Sequence, residues 1–79
     1  METRFSNLQP GDTGNVVGIT EGSASYRSKL LAMGLVPGVP FHVVRKAPLG
    51  YPVVIRVNGF HLCLRRKEAE MLRLEKGDA

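Results

Sequence analysis

The 79-residue sequence has one cysteine, no tryptophan and no long apolar run. Cys63 alone cannot build an intrachain disulfide framework, on which small secreted domains usually rely. The longest apolar block, Leu30 to Val36, is interrupted by Gly34 and falls well short of the roughly 20 residues a membrane span requires. Residues 1–7 lack a basic stretch followed by an apolar core, so no signal peptide is expected there. The length allows a single domain over 1–79, with a core from about residue 5 to 75 and a frayed tail at 76–79. A cytoplasmic location is the corresponding expectation.

Carboxylates are also missing where they would matter most. From Gly22 to Lys67 there is no Asp or Glu, whereas Arg27, Lys29, Arg45, Lys46, Arg56, Arg65, Arg66 and Lys67 all fall in that stretch. The acidic residues lie at the two ends: Glu2, Asp12 and Glu21, then Glu68, Glu70, Glu75 and Asp78. A formal charge of +4 therefore hides a strongly basic middle between acidic ends. The middle can supply no catalytic carboxylate, and its partner should be anionic rather than cationic.

What is present reads as short strands with one helix. Residues 5–14 form an extended lead-in ending in the Pro10-Gly11 turn. Asn15 to Thr20 is β-rich, with Gly18 marking a bulge or a close backbone approach. Ser23 to Gly34 is the helix: Ser23 or Ser25 can cap its start, and Gly34 stands where a left-handed C-terminal cap belongs. Tyr26, Leu30 and Met33 make its apolar stripe, and Leu31 widens that stripe beyond what a small core needs. Strands follow at Pro40–Lys46, Pro52–Asn58 and Phe60–Leu64, the last two joined by the hairpin signal Asn58-Gly59. A helical turn over Arg66–Glu70 and a strand over Met71–Glu75 complete the chain. The fold class is mainly β: a small five-stranded barrel with one α-helix inserted after the first strand and a short helical turn before the last.

Catalysis is poorly supplied. His42 and His61 are the only histidines, neither has a carboxylate near it in sequence, and no Walker-type phosphate loop occurs. No catalytic residue, cofactor or structural metal site is expected. His61 and Cys63 stand two apart on one strand face and could hold a transition metal weakly, with His42 joining them if its strand were adjacent. Structural zinc requires four ligands, and a solvent-facing His beside a half-buried free Cys accounts for the pair. Five aromatics, Phe5, Tyr26, Phe41, Tyr51 and Phe60, are too few for a groove that binds Pro-rich peptides. Nucleic acid is the alternative from another class, since the basic middle would supply phosphate contacts, but no stacking platform accompanies it.

Longer motifs point elsewhere. Tyr26-Arg-Ser-Lys-Leu-Leu-Ala-Met-Gly-Leu-Val-Pro-Gly runs into Phe41-His-Val-Val-Arg-Lys-Ala-Pro-Leu-Gly-Tyr-Pro-Val-Val-Ile, followed by Leu62-Cys-Leu-Arg and Glu68-Ala. Together these resemble the ferrous iron transport protein A (FeoA) family over roughly Leu8 to Leu74. One departure is Tyr51, which stands where the family usually has Asp. The resemblance implies an SH3-like barrel and a cytoplasmic accessory of the membrane ferrous iron permease, which itself carries a cytosolic GTP-binding domain. It implies that the chain binds that permease at the inner face of the membrane and modulates its transport or GTPase activity, without inserting into the bilayer itself. On this reading the helix docks the partner, with Arg27 and Lys29 as charged rim contacts and Leu30 or Leu31 as the buried apolar anchor.

Overall fold

The computed structural model describes residues 2–20 and 24–77. Its elements in chain order are β1 (Glu2–Thr3), a 3₁₀ turn (Phe5–Asn7), β2 (Thr13–Ile19), α1 (Ala24–Ala32), β3 (Pro40–Lys46), β4 (Val53–Val57), β5 (Phe60–Leu64), α2 (Arg66–Glu70) and β6 (Leu72–Lys76). The strands form one antiparallel sheet in the order β1-β6-β2-β3-β4-β5. The five expected strands are all present; β1 is an addition, two residues long, held to β6 by a bidentate bond from Arg73 to Glu2. The lead-in is not simply extended either. Its 3₁₀ turn drives Phe5 into the core, where the ring meets Phe41 edge-on at 5.4 Å. Lys46 then donates to the carbonyls of Phe5 and Leu8, tying this turn to the end of β3.

Turn chemistry sets the register. Asn58 and Gly59 both adopt positive φ, 53° and 82°, as a type I′ turn requires, and Val57 pairs with Phe60 across it. Pro37-Gly38 closes a turn from the Val36 carbonyl to the Val39 N–H at 3.1 Å, and the Gly38 N–H anchors it to Val16. The ladder between β2 and β6 shifts between Val16 and Gly18, the bulge that Gly18 marks. A second shift, between Val43 and Arg45, breaks the expected alternation of β3: Val44 and Arg45 both face solvent, and Lys46 turns inward. At the other end, Lys76 pairs with Gly14 and the Gly77 N–H bonds Thr13, so the strand runs into residues expected as tail.

Leu8, Val16, Leu35, Phe41, Val43, Val53, Ile55, Leu64, Leu72 and Leu74 meet Phe5 and Leu30 in one cluster. Among the described residues no ladder joins β1 to β5. The gap beside β5 is flanked by α1. Lys29 of α1 bonds Glu68 just after β5 ends, and Gly34 abuts Asn58 just before β5 begins. The helix is thus held near both ends of β5, and its Leu30 side chain enters the core.

The helix ends in a Schellman motif. The Leu35 N–H reaches the Leu30 carbonyl and the Gly34 N–H reaches Leu31, with Gly34 at φ 92°. Leu30 and Leu35, the two residues this motif brings together, are both fully buried. Of the two proposed N-caps, Ser23 lies outside the described residues, and Ser25 is already the second residue of α1.

Gly14 is a close-approach position with no turn to announce it. A Cβ there would overlap the Glu75 carbonyl oxygen and press on the Phe41 ring, whereas at Gly18 the nearest atom is the end of Arg73 at 3.7 Å. Gly14→Ala should therefore destabilise the domain by about 2–3 kcal/mol, and Gly18→Ala by less than about 1 kcal/mol. Urea denaturation of the two variants side by side checks this; equal losses would contradict the packing described.

Candidate partner-binding site

The four helix residues proposed for docking separate into two kinds. Leu30 has no exposure and belongs to the core, so it cannot be a docking anchor. Lys29 also acts within the domain: its ammonium lies 2.6 Å from Glu68 Oε2. Arg27 and Leu31 remain, and at i and i+4 they share one outward stripe of α1. Leu31 is 36% exposed, and no carboxylate of the described residues pairs with Arg27. The apolar stripe is thus narrower than its sequence suggests, because Tyr26 and Met33 are only half-buried and Leu31 faces out.

The structure exposes further large apolar side chains. Phe60 is 71% exposed, although it lies on the same side of β5 as Leu62 and buried Leu64. It stands directly after the Asn58-Gly59 turn, whose Asn58 lies close to Gly34 just past the end of α1. Val36, at 44% exposure, follows the same helix end, and Val44 and Leu49 are exposed apolar groups elsewhere on the chain. Composition gives no hint of Phe60; only its position at the first residue after a type I′ turn marks it as beyond the core.

The last turn of α1 also makes an electrostatic contact. Glu68 is buried and accepts from the Arg65 N–H at 2.9 Å through Oε1, while Oε2 binds Lys29. Glu68 is the third residue of α2, so its bond to Arg65 is the carboxylate half of a capping box; an arginine has no acceptor to supply the other half. Lysine and carboxylate here lock α1 to α2. A hollow of about 380 Å³ opens beside this pair, lined by Tyr26, Lys29, Arg65, Arg66, Lys67 and Glu68. The Arg66 guanidinium lies 5.4 Å from the centroid of the Tyr51 ring. Tyr51, Pro52, Cys63, Arg65 and Arg66 line an adjoining hollow of about 600 Å³.

The candidate metal ligands are placed as the strand pattern demands, with one correction. His61 and Cys63 are both exposed on the outer face of β5. His42 does not join them, because β4 lies between: His42 pairs with Arg56, and Arg56 pairs with His61. An arginine between two histidines opposes a shared cation. Among the described residues no three metal-ligating side chains gather.

Comparison with known proteins places this geometry. The family profile described as FeoA domain matches residues 3–76. The chain belongs to the FeoA family. An Fe(2+) transport protein A/Fe(2+) transporter FeoB fusion protein of Porphyromonas gingivalis is 38% identical over 72 residues, which are 91% of this chain and 8% of that relative. The chain thus spans a small part of the fusion protein. A crystal structure of an iron uptake regulatory protein, FeoA, is 35% identical with a TM-score of 0.84, covering 98% of this chain and all of the other. Stenotrophomonas maltophilia FeoA, crystallised with zinc and described as an SH3 domain protein, covers 92% of this chain and 89% of its own at 24% identity and a TM-score of 0.79. That last likeness shows the fold alone, and the fold is the SH3-like barrel the resemblance implies.

In this FeoA domain the Lys29–Glu68 lock has a pH signature. Glu68 is held below the ordinary value of 4.5, first by the bond from Lys29 and next by the Arg65 N–H, with burial opposing both. A carboxyl lowered on folding adds stability above its unfolded value and loses that stability as pH falls through the folded one. Stability should hold from neutral pH down to about 4.5 and decline below it. Glu68→Gln should cost about 1–2 kcal/mol at neutral pH and flatten the acid limb. Urea denaturation between pH 7 and pH 3 reads both effects; an unchanged acid limb would mean that Glu68 is not held by Lys29.

Proposed function

We propose that this FeoA domain is a non-catalytic accessory of ferrous iron uptake that binds the membrane ferrous iron permease from the cytoplasmic side and modulates its transport or GTPase activity. The observation that carries this reading is the exposure of large apolar side chains at and just after α1 and at the start of β5, Leu31, Val36 and Phe60, which have no use in a free domain of this size. Arg27 borders Leu31, as a charged rim borders an apolar centre in a protein interface. The fusion of an FeoA segment to an FeoB transporter in a relative supplies the identity of the partner. No described helix is long and apolar enough to cross a membrane, which agrees with membrane attachment through that partner.

Leu31→Ala and Phe60→Ala test the reading, because both side chains are exposed and truncation should leave the melting temperature nearly unchanged. Each should weaken co-purification with the permease by about 1–2 kcal/mol, and the GTPase rate of the permease should respond to wild type but not to the double variant. Full retention of binding by the double variant would refute this docking surface.

A further inference from the structure

We propose that the surface beside α1 receives an acidic segment of the partner, its carboxylates held by Arg65, Arg66 and Lys67. This rests on the partner reading above and specifies the chemistry of what docks.

The charge distribution singles out this end of the domain. Three consecutive basic residues surround the hollow that also contains Lys29, and the one carboxylate there, Glu68, is buried and committed to Lys29 and the Arg65 N–H. Arg65 and Lys67 have no carboxylate within ion-pair distance among the described residues. Arg66 has only exposed Glu70 at 3.9 Å, a geometry worth little in water. Its guanidinium is already set against the Tyr51 ring, so little side-chain freedom is lost when it binds a carboxylate. Arg65 and Arg66 line both hollows and form the divide between them.

Shape distinguishes the possible anions. The hollows are open and lie side by side, so a small anion would meet one wall and remain largely hydrated. A flat bilayer would rest across the openings without entering. A polypeptide carrying several carboxylates can send one into each hollow.

The test compares Arg66→Glu/Lys67→Glu with Arg45→Glu/Arg56→Glu. The second pair removes the same charge from exposed positions on β3 and β4, neither of which lines either hollow. With the full permease in nanodiscs of zwitterionic lipid, the first pair should lose about tenfold or more in affinity, and the second should lose little. Equal losses would reduce the effect to net-charge steering and overturn the proposal, as would no loss in either. Empty nanodiscs of anionic lipid provide a separate arm; binding there that depends on Arg66 and Lys67, without their dependence on the permease, would assign the site to a membrane and overturn it too. A synthetic helical peptide of repeating Glu-Ala-Ala-Leu-Glu serves as an independent probe by amide NMR shifts. Shifts confined to residues 65–67 and the other residues lining the two hollows uphold the acidic-segment site even if the permease fails to bind, in which case the partner reading alone falls. Absence of both interactions defeats the two together.

Discussion

Leu30 is the one wholly buried side chain of α1, and the placement of the helix depends on it. Burying a leucine completely is worth about 1.5–3 kcal/mol, a substantial share of the stability of a domain this small. The Schellman motif fixes how the chain leaves the helix and directs Leu35 to the same core. Lys29, one residue earlier, joins α1 to α2 through Glu68. With one leucine, one turn motif and one ion pair so placed, the orientation of α1 is determined, and the remaining residues of the helix are free to face outward. The binding surface is a consequence: Arg27 and Leu31 are available because Leu30 alone fills the core.

The basic middle of the chain divides by the same logic. Lys46 is consumed in tying the 3₁₀ turn to β3, and Lys29 in the lock with Glu68. Their charges are structural and contribute little to recognition. Arg65, Arg66 and Lys67 remain beside α1, where two hollows concentrate them, and Arg45 and Arg56 remain exposed on β3 and β4. The basic charge that this domain leaves for a partner is therefore gathered where β5 passes into α2.

Much of this fold was legible in the chain. Asn58-Gly59, Pro37-Gly38 and Gly34 each specify a local backbone geometry that few other residue pairs satisfy, and all three turns stand where they read. The alternation in β4 and β5 placed Val53, Ile55 and Leu64 inward and His61 and Cys63 on the outer face, but Cys63, expected half-buried, is exposed there because nothing packs over that face of β5. The alternation in β3 misled, because a bulge between Val43 and Arg45 reverses the face of every later residue. Phe5 was hidden for a related reason, since a 3₁₀ turn of three residues has no periodicity to detect. Of the four helix residues expected to dock, Arg27 and Leu31 are exposed, whereas Leu30 and Lys29 could be told from them only by what they touch.

By itself the sequence determined the turns, the strand faces, the helix and its C-terminal cap, because these depend on interactions within a few residues. It also determined that the middle of the chain would be basic and free of carboxylates. Tertiary structure decided which of those charges are spent inside the domain and which are left for a partner. It decided that Gly14 must have no side chain, that His42 and His61 stand on either side of Arg56, and that Phe60 is left exposed. Those outcomes depend on which strands become neighbours, and contacts between distant segments leave no local pattern from which they could be read.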